Sequence, residues 1–256
     1  MNLNIPYMET DNKLLNDAYR IAAGDIVGNI VYYQNGLLTE EKPCMIAGLD
    51  YNTPWTRDTA INIWNALSIL SPEVSKNTLL AVLEEEEGNI YIGGQYWDSI
   101  IWMIGAREYC RFHKDDNFYR LAFKAGRNSV HRLEEDEFDE EDGLFRGPAV
   151  YGDGIAAYPD KYSKCPNQSS GILEWVDYPG NPVYPKGYGI PMKALSTNCV
   201  YFKVYEILAE MAHALGEPAK EFEEKAAAMK KAINKNFWNE KRGSYDYLAG
   251  ECDYAE

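Results

Sequence analysis

The carboxyl group best placed for chemistry in this sequence belongs to Asp153. It lies between Gly152 and Gly154 in the longest predicted loop, beyond any helix, so helix capping does not explain it. Tyr151 comes two residues earlier, and a carboxyl group among aromatic rings has its neutral form favoured by desolvation, as a general acid requires. Asp153 is therefore a candidate general acid. The alternative is an ordinary Asp-Gly turn.

A second candidate cluster begins the second predicted helix. Arg57 and Asp58 follow Tyr51 and Trp55 there. Donors and an acceptor at a helix N-terminus point out of a helical bundle and could bind vicinal hydroxyl groups. The structural alternative is that Asp58 caps the helix while Arg57 forms a local ion pair.

Two further clusters also begin helices. Tyr96, Trp97 and Asp98 follow two glycines at the start of the fourth predicted helix, and glycine lets the backbone approach a ligand closely. Asn198 lies at the start of the sixth predicted helix. The structural alternatives are a capping aspartate beside a core tryptophan and, for Asn198, a buried hydrogen-bonded amide.

Apolar residues recur with a helical period along most of the chain. The first helix is predicted to begin at about Asp11 as its cap, and the second near Thr56, buried on most sides. The third helix is predicted from Ser71-Pro72 to Glu84–Glu87, the fourth over Trp97–Phe112, and the fifth from Asp116. The sixth covers Ala194–Leu215 and stops at Gly216. The seventh is amphipathic, with Phe222, Ala226, Met229, Ile233 and Phe237 on one face.

The second, fourth and sixth helices are apolar on most sides, whereas the fifth and seventh are amphipathic. Two concentric layers of helices would produce this difference. Alternate connections are long and rich in aromatic and acidic residues, so they are expected to meet on one face. The predicted fold class is all-α, an (α/α)6 toroid of helical hairpins. About seven of the twelve helices are visible, so residues 1–256 are expected to form a single, truncated domain.

Composition excludes several function classes. A formal net charge of −15 argues against nucleic acid or an anionic membrane as a partner. There is no long apolar run and no signal-like start, which favours a cytoplasmic location. The five cysteines are widely spaced without a CxxC, which is typical of free thiols. The three histidines lack metal-ligand spacing, so no metal is predicted, and the acidic runs Glu84–Glu87 and Glu134–Asp142 are interpreted as solvated helix ends.

The order and spacing of these clusters resemble the six-hairpin glycosidases. The most similar members are the (α/α)6 catalytic domains of glycogen-debranching amylo-α-1,6-glucosidases, with similarity also to trehalases and processing α-glucosidases. The debranching enzymes have Thr-Trp-Met-Asp-Ala where this chain has Val150-Tyr-Gly-Asp-Gly154. The matching motifs are Trp55-Thr-Arg-Asp58, Tyr96-Trp-Asp98, Asp142-Gly-Leu-Phe-Arg146, the Asp153 loop, Ala194…Asn198…Tyr201 and Asn236-Phe-Trp238.

The resemblance implies an exo-acting, inverting glycoside hydrolase for an α-glucoside or a similar oligosaccharide, working without a cofactor. Asp153 would be the general acid, and the base would lie beyond the C-terminus. The residues expected to bind the hydroxyl groups of the substrate are Arg57, Asp58, Asp98 and Asn198. The rings expected to form the walls of the site are those of Tyr51, Trp55, Tyr96, Trp97 and Tyr151. Two alternatives stay open: a sugar epimerase or isomerase on the same toroid, and a non-catalytic module that binds carbohydrate or protein.

Overall fold

The structure is a computed structural model that describes residues 5–94, 96–149 and 192–249. Its contacts divide the chain into two compact units. The first consists of Met1–Gly94 with Ile101–Asn128, and the second of Gln95–Ile100 with Ser129–Glu256. The single domain expected over residues 1–256 stays a prediction.

The described residues are mostly helical, and their strands are only two to four residues long, so the all-α class is confirmed. The helices are α1 (Lys13–Gly28), α2 (Thr56–Asn62), which continues through a π-helical turn (Ile63–Leu67) into α3 (Ser68–Leu70), α4 (Pro72–Ala81), α5 (Trp97–Phe112), α6 (Asp116–Glu137), α7 (Leu195–Leu215) and α8 (Lys220–Phe237).

The strands form four separate antiparallel hairpins, each within one unit. The first unit contains two of them and the second unit the other two. They pair β1 (Ile30–Tyr33) with β2 (Lys42–Met45), β3 (Leu83–Glu86) with β4 (Asn89–Ile92), β5 (Phe138–Asp139) with β6 (Leu144–Phe145) and β7 (Trp238–Asn239) with β8 (Ser244–Tyr245).

The core of the first unit is centred on Trp102, which is fully buried. Its indole N–H donates a hydrogen bond to the carbonyl of Leu79 at 3.2 Å, and its ring centroid lies 6.2 Å from that of Phe118. Gly105 lets α2 approach α5 closely, because a Cβ atom there would lie 2.8 Å from the Cα atom of Ala60. A larger side chain at position 105 would therefore push these two helices apart.

Two predictions about helix ends in the first unit are wrong. Asp11 is not the cap of α1, because the side chain of Asn12 accepts the backbone N–H groups at the start of that helix. Glu84–Glu87 is not a helix end, because α4 ends at Ala81 and the glutamates continue as a strand and its turn. Glu87 and Gly88 have φ values of 51° and 80°, as a two-residue hairpin turn requires.

The expected burial of the second helix is only partly correct. Ile63 and Leu67 are buried, but Trp64 and Ile69 are 50% and 59% exposed. The backbone changes to π-helical geometry at Ile63–Leu67, which alters the rotation of the helix between these residues. A uniform helical period therefore did not predict which side chains the first unit covers.

The second unit is organised around the hairpin of α7 and α8. Gly216 ends α7 with a left-handed φ of 71°, which confirms the predicted stop. The buried face of α8 is the predicted one, with Phe222, Ala226, Met229, Ile233 and Phe237. Phe145 of β6 stacks on Tyr201 of α7 with parallel rings 3.6 Å apart, so the β5–β6 hairpin is held directly against α7.

Two further properties concern the described residues as a whole. Among them, no helix combines the length and the apolar character needed to cross a lipid bilayer. Their three cysteines, Cys44, Cys110 and Cys199, are free. Burial raises the pKa of the Cys44 thiol to about 12, which keeps it protonated and unreactive at neutral pH.

Candidate functional site

The predicted site residues of the first unit lie at the start of α2. Tyr51 and Trp55 are 50% and 42% exposed, and their rings meet edge to face with centroids 6.2 Å apart. Arg57 and Asp58 follow in the first turn, with Nε and Oδ2 4.0 Å apart. The local ion pair is therefore present, next to two rings that offer flat surface to solvent.

A side-chain hydrogen bond fixes the beginning of α2. Thr56 is buried, and its Oγ1 donates to the carbonyl oxygen of Gly93 at 2.8 Å. Trp55 occupies the N-cap position in an extended conformation, and its carbonyl accepts from the N–H of Thr59 at 2.8 Å. Both bonds fix the first turn of α2, which carries Arg57 and Asp58.

In the second unit, Tyr96 immediately precedes α5 in an unusual backbone conformation. Its φ is 49°, a left-handed value that is uncommon for a residue with a side chain. The side chain is 6% exposed, and the Ser99 hydroxyl donates to the Tyr96 carbonyl at 2.9 Å. Strain of this kind persists where the surroundings over-determine it, and it is frequent at binding sites.

Tyr96 packs against Gly147, which precedes the segment that carries Asp153. Gly147 has a φ of 134°, and a Cβ atom there would lie 3.2 Å from Cδ1 of Tyr96. Trp97 is only 2% exposed, whereas Asp98 is partly exposed in the first turn of α5. Of the three predicted residues at this helix start, Asp98 is thus the most accessible to a ligand.

Asn198 is fully buried and binds backbone groups on both sides. Its Oδ1 accepts from the N–H of Phe145 at 2.8 Å, and its Nδ2 donates to the carbonyls of Phe145 and Ala194 at 3.1 and 2.9 Å. The second of the two interpretations from the sequence, a buried hydrogen-bonded amide, describes this arrangement. A direct contact with a sugar hydroxyl stays a prediction.

The two chain ends that flank residues 150–191 lie side by side at the start of α7. The N–H of Gly147 donates to the carbonyl of Met192 at 2.8 Å. The hydroxyl of Thr197 donates to the carbonyl of Pro148. On the other side, the N–H of Ala249 donates to the carbonyl of Lys193 at 2.9 Å. The backbone that leads into and out of the 150–191 segment is therefore anchored in the second unit.

Charged side chains reinforce this anchor. The ammonium of Lys193 lies 2.7 Å from a carboxylate oxygen of Asp139 and 2.5 Å from one of Asp142. The hydrogen bond from Lys193 holds the pKa of the Asp139 carboxyl below its ordinary value, although partial burial opposes this. Asp139 is therefore ionised in the folded protein well into the acidic range.

One part of the acidic run is not solvated as predicted. Glu137 is 5% exposed, and its Oε2 lies 3.9 Å from Nε of Arg146. Arg146 also donates from Nη2 to the carbonyl of Asp136 at 3.1 Å. The chain turns at this point into the β5–β6 hairpin, so a glutamate at the end of α6 is enclosed instead of facing water.

The structure therefore divides the predicted site residues into three groups. Tyr51, Trp55, Arg57 and Asp58 belong to the first unit, and Tyr96, Trp97, Asp98 and Asn198 to the second. Tyr151 and Asp153 lie outside the described residues. Their roles as a wall of the site and as the general acid stay predictions.

Comparison with known families bears on the region that includes this acid. Residues 150–251 match the family model of the bacterial alpha-L-rhamnosidase 6 hairpin glycosidase domain. This supports the six-hairpin glycosidase superfamily. No curated protein matches the chain.

The match over residues 150–251 agrees with the predicted superfamily. Together with the mostly helical structure it supports the predicted (α/α)6 class and glycoside hydrolase activity in general. The matched residues include Tyr151, Asp153 and Asn198. They also include Lys193, which the sequence analysis did not assign to the site.

Two anchoring residues, Gly147 and Lys193, were not among the predicted site residues. The signal for Gly147 was its position beside Pro148, since glycine is required where backbone and ring approach closely. Lys193 gave no such signal, because its partners Asp139 and Asp142 lie more than fifty residues away in the chain.

A separate cluster on α6 and α8 also escaped prediction. His131, Glu134 and Glu221 have ligand atoms that all lie within 4.8 Å of one another, which would suit a metal ion. His131 and Glu134 are three residues apart and so share one face of α6. None of the predicted site residues belongs to this cluster.

Proposed function

We propose that the chain is an exo-acting, inverting glycoside hydrolase in which Asp153 is the general acid. The observation that carries this proposal is the family match over residues 150–251, which includes Asp153 and the start of α7. The anchoring of Gly147, Pro148 and Met192 supports it, because a catalytic loop requires fixed ends to place its acid reproducibly.

In this mechanism the carboxylic acid of Asp153 donates its proton to the glycosidic oxygen as the bond to the anomeric carbon breaks. The leaving group departs as an alcohol. A second carboxylate takes a proton from water, whose oxygen attacks the anomeric carbon from the opposite face. The two carboxyl groups of an inverting enzyme are separated by roughly 6.5–9.5 Å.

The residues predicted to bind substrate would have distinct roles. The exposed rings of Tyr51 and Trp55 are suited to stack on a sugar, and Arg57 with Asp58 would bind its hydroxyl groups. Asp98 would do the same from the start of α5, backed by the buried rings of Tyr96 and Trp97. Asn198 and Tyr151 complete the predicted set. Asn198 contributes by holding Phe145, three residues before Pro148.

Two substrates are proposed. The motifs of the sequence resemble enzymes that act on α-glucosides, whereas the matched family model is named for alpha-L-rhamnosidases. Hydrolysis of phenyl α-D-glucopyranoside and phenyl α-L-rhamnopyranoside by the full-length protein decides between them. Faster turnover of the rhamnoside would assign the site to that sugar, and faster turnover of the glucoside would favour the original prediction.

The role of Asp153 is tested by D153N with two leaving groups. Phenyl glycosides need protonation of the departing oxygen, so their hydrolysis is expected to fall by about 10²–10⁴-fold. The corresponding 2,4-dinitrophenyl glycosides, whose leaving group departs without a proton, are expected to lose far less. The matched control D11N removes an exposed carboxylate from the chain segment before α1 and is expected to leave both rates unchanged.

The rival functions give different results in the same experiments. A sugar epimerase or isomerase would convert a free sugar without cleaving either glycoside. A binding module would bind the sugar equally well with and without the Asp153 carboxyl group and would turn over neither substrate. If D153N lowered the hydrolysis rates of the phenyl and the 2,4-dinitrophenyl glycosides by the same factor, Asp153 would be rejected as the acid. Glycoside hydrolysis itself would still stand.

A further inference from the structure

A continuous polar chain links α6, α7 and α8 in the second unit. The Tyr205 hydroxyl donates to Glu134 at 2.6 Å, and the ammonium of Lys225 lies 2.7 Å from Glu134 and 2.6 Å from Glu221. Glu221 in turn lies 2.8 Å from Nε2 of His131. The two carboxylates thus converge on one cation, which belongs to the protein itself.

The cluster opens into a cavity of about 600 Å³. Phe138 and Met229 contribute to its apolar wall, and Glu135 and Glu140 add two more carboxylates to its lining. Lys225 is the one ammonium among the residues that line this cavity. An excess of negative charge around a cavity raises the local concentration of cations.

We propose that His131, Glu134 and Glu221 form a binding site for a divalent transition-metal ion such as Zn²⁺, in which the ammonium of Lys225 holds the place of the metal in its absence. One imidazole nitrogen with two carboxylate oxygens is a donor set that zinc accepts at about 2.0–2.2 Å. The donor atoms already lie within 4.8 Å of one another, so only small side-chain movements would bring all three within bonding distance of one zinc ion.

The imidazole makes this site different from an ordinary acidic patch. Hard cations such as Ca²⁺ and Mg²⁺ prefer oxygen ligands alone, whereas imidazole suits zinc and its neighbours in the periodic table. The His131 ring is also held in place, because it stacks on the ring of Phe222 at a centroid distance of 6.1 Å and an angle of 18°. A held ligand loses less conformational freedom when it binds a metal.

Lys225 is able to leave the cluster when a metal binds. Its side chain is 32% exposed, so the ammonium has access to water. A doubly charged ion interacts more strongly with two carboxylates than an ammonium does.

The proposal predicts opposite effects for a ligand and for the competing lysine. In calorimetric titration of the full chain with ZnCl₂, H131A is expected to weaken binding at least tenfold, whereas K225M is expected to strengthen it by about tenfold. Each has a matched control. His213 pairs with Glu223 at 2.7 Å outside this cluster, and Lys220 pairs with Glu224 at 3.5 Å on the exposed face of α8. H213A and K220M are expected to bind zinc like the original chain.

A second readout separates a metal site from loss of folding or loose binding to carboxylates. Co²⁺ in a protein site of low coordination number absorbs visible light far more strongly than hydrated Co²⁺, and this increase is expected with the original chain and K225M but not with H131A. Circular dichroism verifies that each variant is folded. Absence of zinc binding by the original chain, equal affinities of H131A and H213A, or equal affinities of K225M and K220M would each overturn the proposal.

This site departs from the sequence-based expectation that no metal is bound. That expectation depended on spacing along the chain, and His131 and Glu221 are 90 residues apart. The proposal does not depend on the glycosidase assignment. Failure of zinc binding would leave the D153N test untouched, and failure of glycoside hydrolysis would leave the zinc titration untouched.

Discussion

Asn198 holds both backbone polar groups of Phe145, accepting from its N–H at 2.8 Å and donating to its carbonyl at 3.1 Å. One amide side chain at the start of α7 therefore forms the two backbone hydrogen bonds that a neighbouring strand would form with β6. It also donates to Ala194 in its own helix. Because Phe145 is buried, these backbone groups have no access to water if the amide is removed.

N198A is therefore expected to lower the free energy of unfolding by about 2–4 kcal/mol, since it strands buried backbone groups and opens a cavity. Urea unfolding measures this change. Asn65 provides a matched control, because its Nδ2 makes the same bond to the carbonyl four residues earlier but is exposed. N65A is expected to cost less than about 0.5 kcal/mol. Equal losses of unfolding free energy in N198A and N65A would show that the hydrogen bonds from Asn198 to the backbone of Phe145 add nothing to stability.

G147A is expected to destabilise the second unit and to reduce glycoside hydrolysis. Position 147 has a φ of 134°, which alanine adopts only with strain, and the added Cβ atom would meet Tyr96 at 3.2 Å. Together these effects are expected to cost about 1–3 kcal/mol. The loss is measured by urea unfolding, in parallel with the rate of hydrolysis of the better phenyl glycoside.

The same substitution in α1 provides a control of opposite sign. A Cβ atom at Gly24 would meet nothing within 4 Å, and the residue lies inside a helix. G24A is therefore expected to stabilise the chain by about 0.5–1 kcal/mol. If G147A were as well tolerated as G24A, the close packing of Gly147 on Tyr96 would have no energetic role.

The ion pair between Lys193 and Asp139 predicts a particular response to acid. The pKa of Asp139 is lowered in the folded protein, so its contribution to stability is present above the unfolded pKa of about 3.9 and is lost as pH falls through the folded value. K193M removes the main cause of that shift. The stability difference between the original chain and K193M is therefore expected to be largest near neutral pH and to shrink below about pH 4.

Urea unfolding at several pH values between about 7 and 2.5 measures this difference. Lys203 is the control, because it pairs with Glu206 at 2.9 Å while both side chains are 44–45% exposed. Exposed pairs contribute little, so K203M is expected to parallel the original chain at every pH. A stability difference for K193M that stays constant down to the lowest pH would contradict the assigned role of the ion pair.

Local periodicity predicted where the helices lie, but not every helix end or the buried face of α2. The apolar face of α8 was predicted residue by residue, because i, i+3 and i+4 neighbours share one side of a helix whatever surrounds it. The bounds of α5, Trp97–Phe112, were likewise correct. Gly216 ended α7 as predicted, since a left-handed residue after a helix strongly favours glycine.

Features that depend on distant residues could not be predicted in this way. Asn198 and Phe145 are 53 residues apart, so whether the amide binds backbone or ligand is decided only by folding. The buried Glu137 gave the same difficulty, because its partner Arg146 lies across a hairpin. The sequence thus left open whether Asn198 binds backbone or substrate, and the substrate-binding roles of the other site residues stay predictions.

The β3–β4 hairpin was missed for a local reason, and this gives a last prediction. A run of glutamates has good helix propensity, but Glu87 and Gly88 both have positive φ values, of 51° and 80°. Glycine adopts this conformation without strain and glutamate only at an energetic cost, whereas Asn-Gly is the preferred pair for such a turn. E87N is therefore expected to raise the free energy of unfolding by about 0.5–1 kcal/mol in urea unfolding.

E85N removes the same charge from an exposed strand position, where asparagine is disfavoured, and is expected to be neutral or slightly destabilising. Equal effects of E87N and E85N would show that loss of negative charge, and not the turn, accounts for the change.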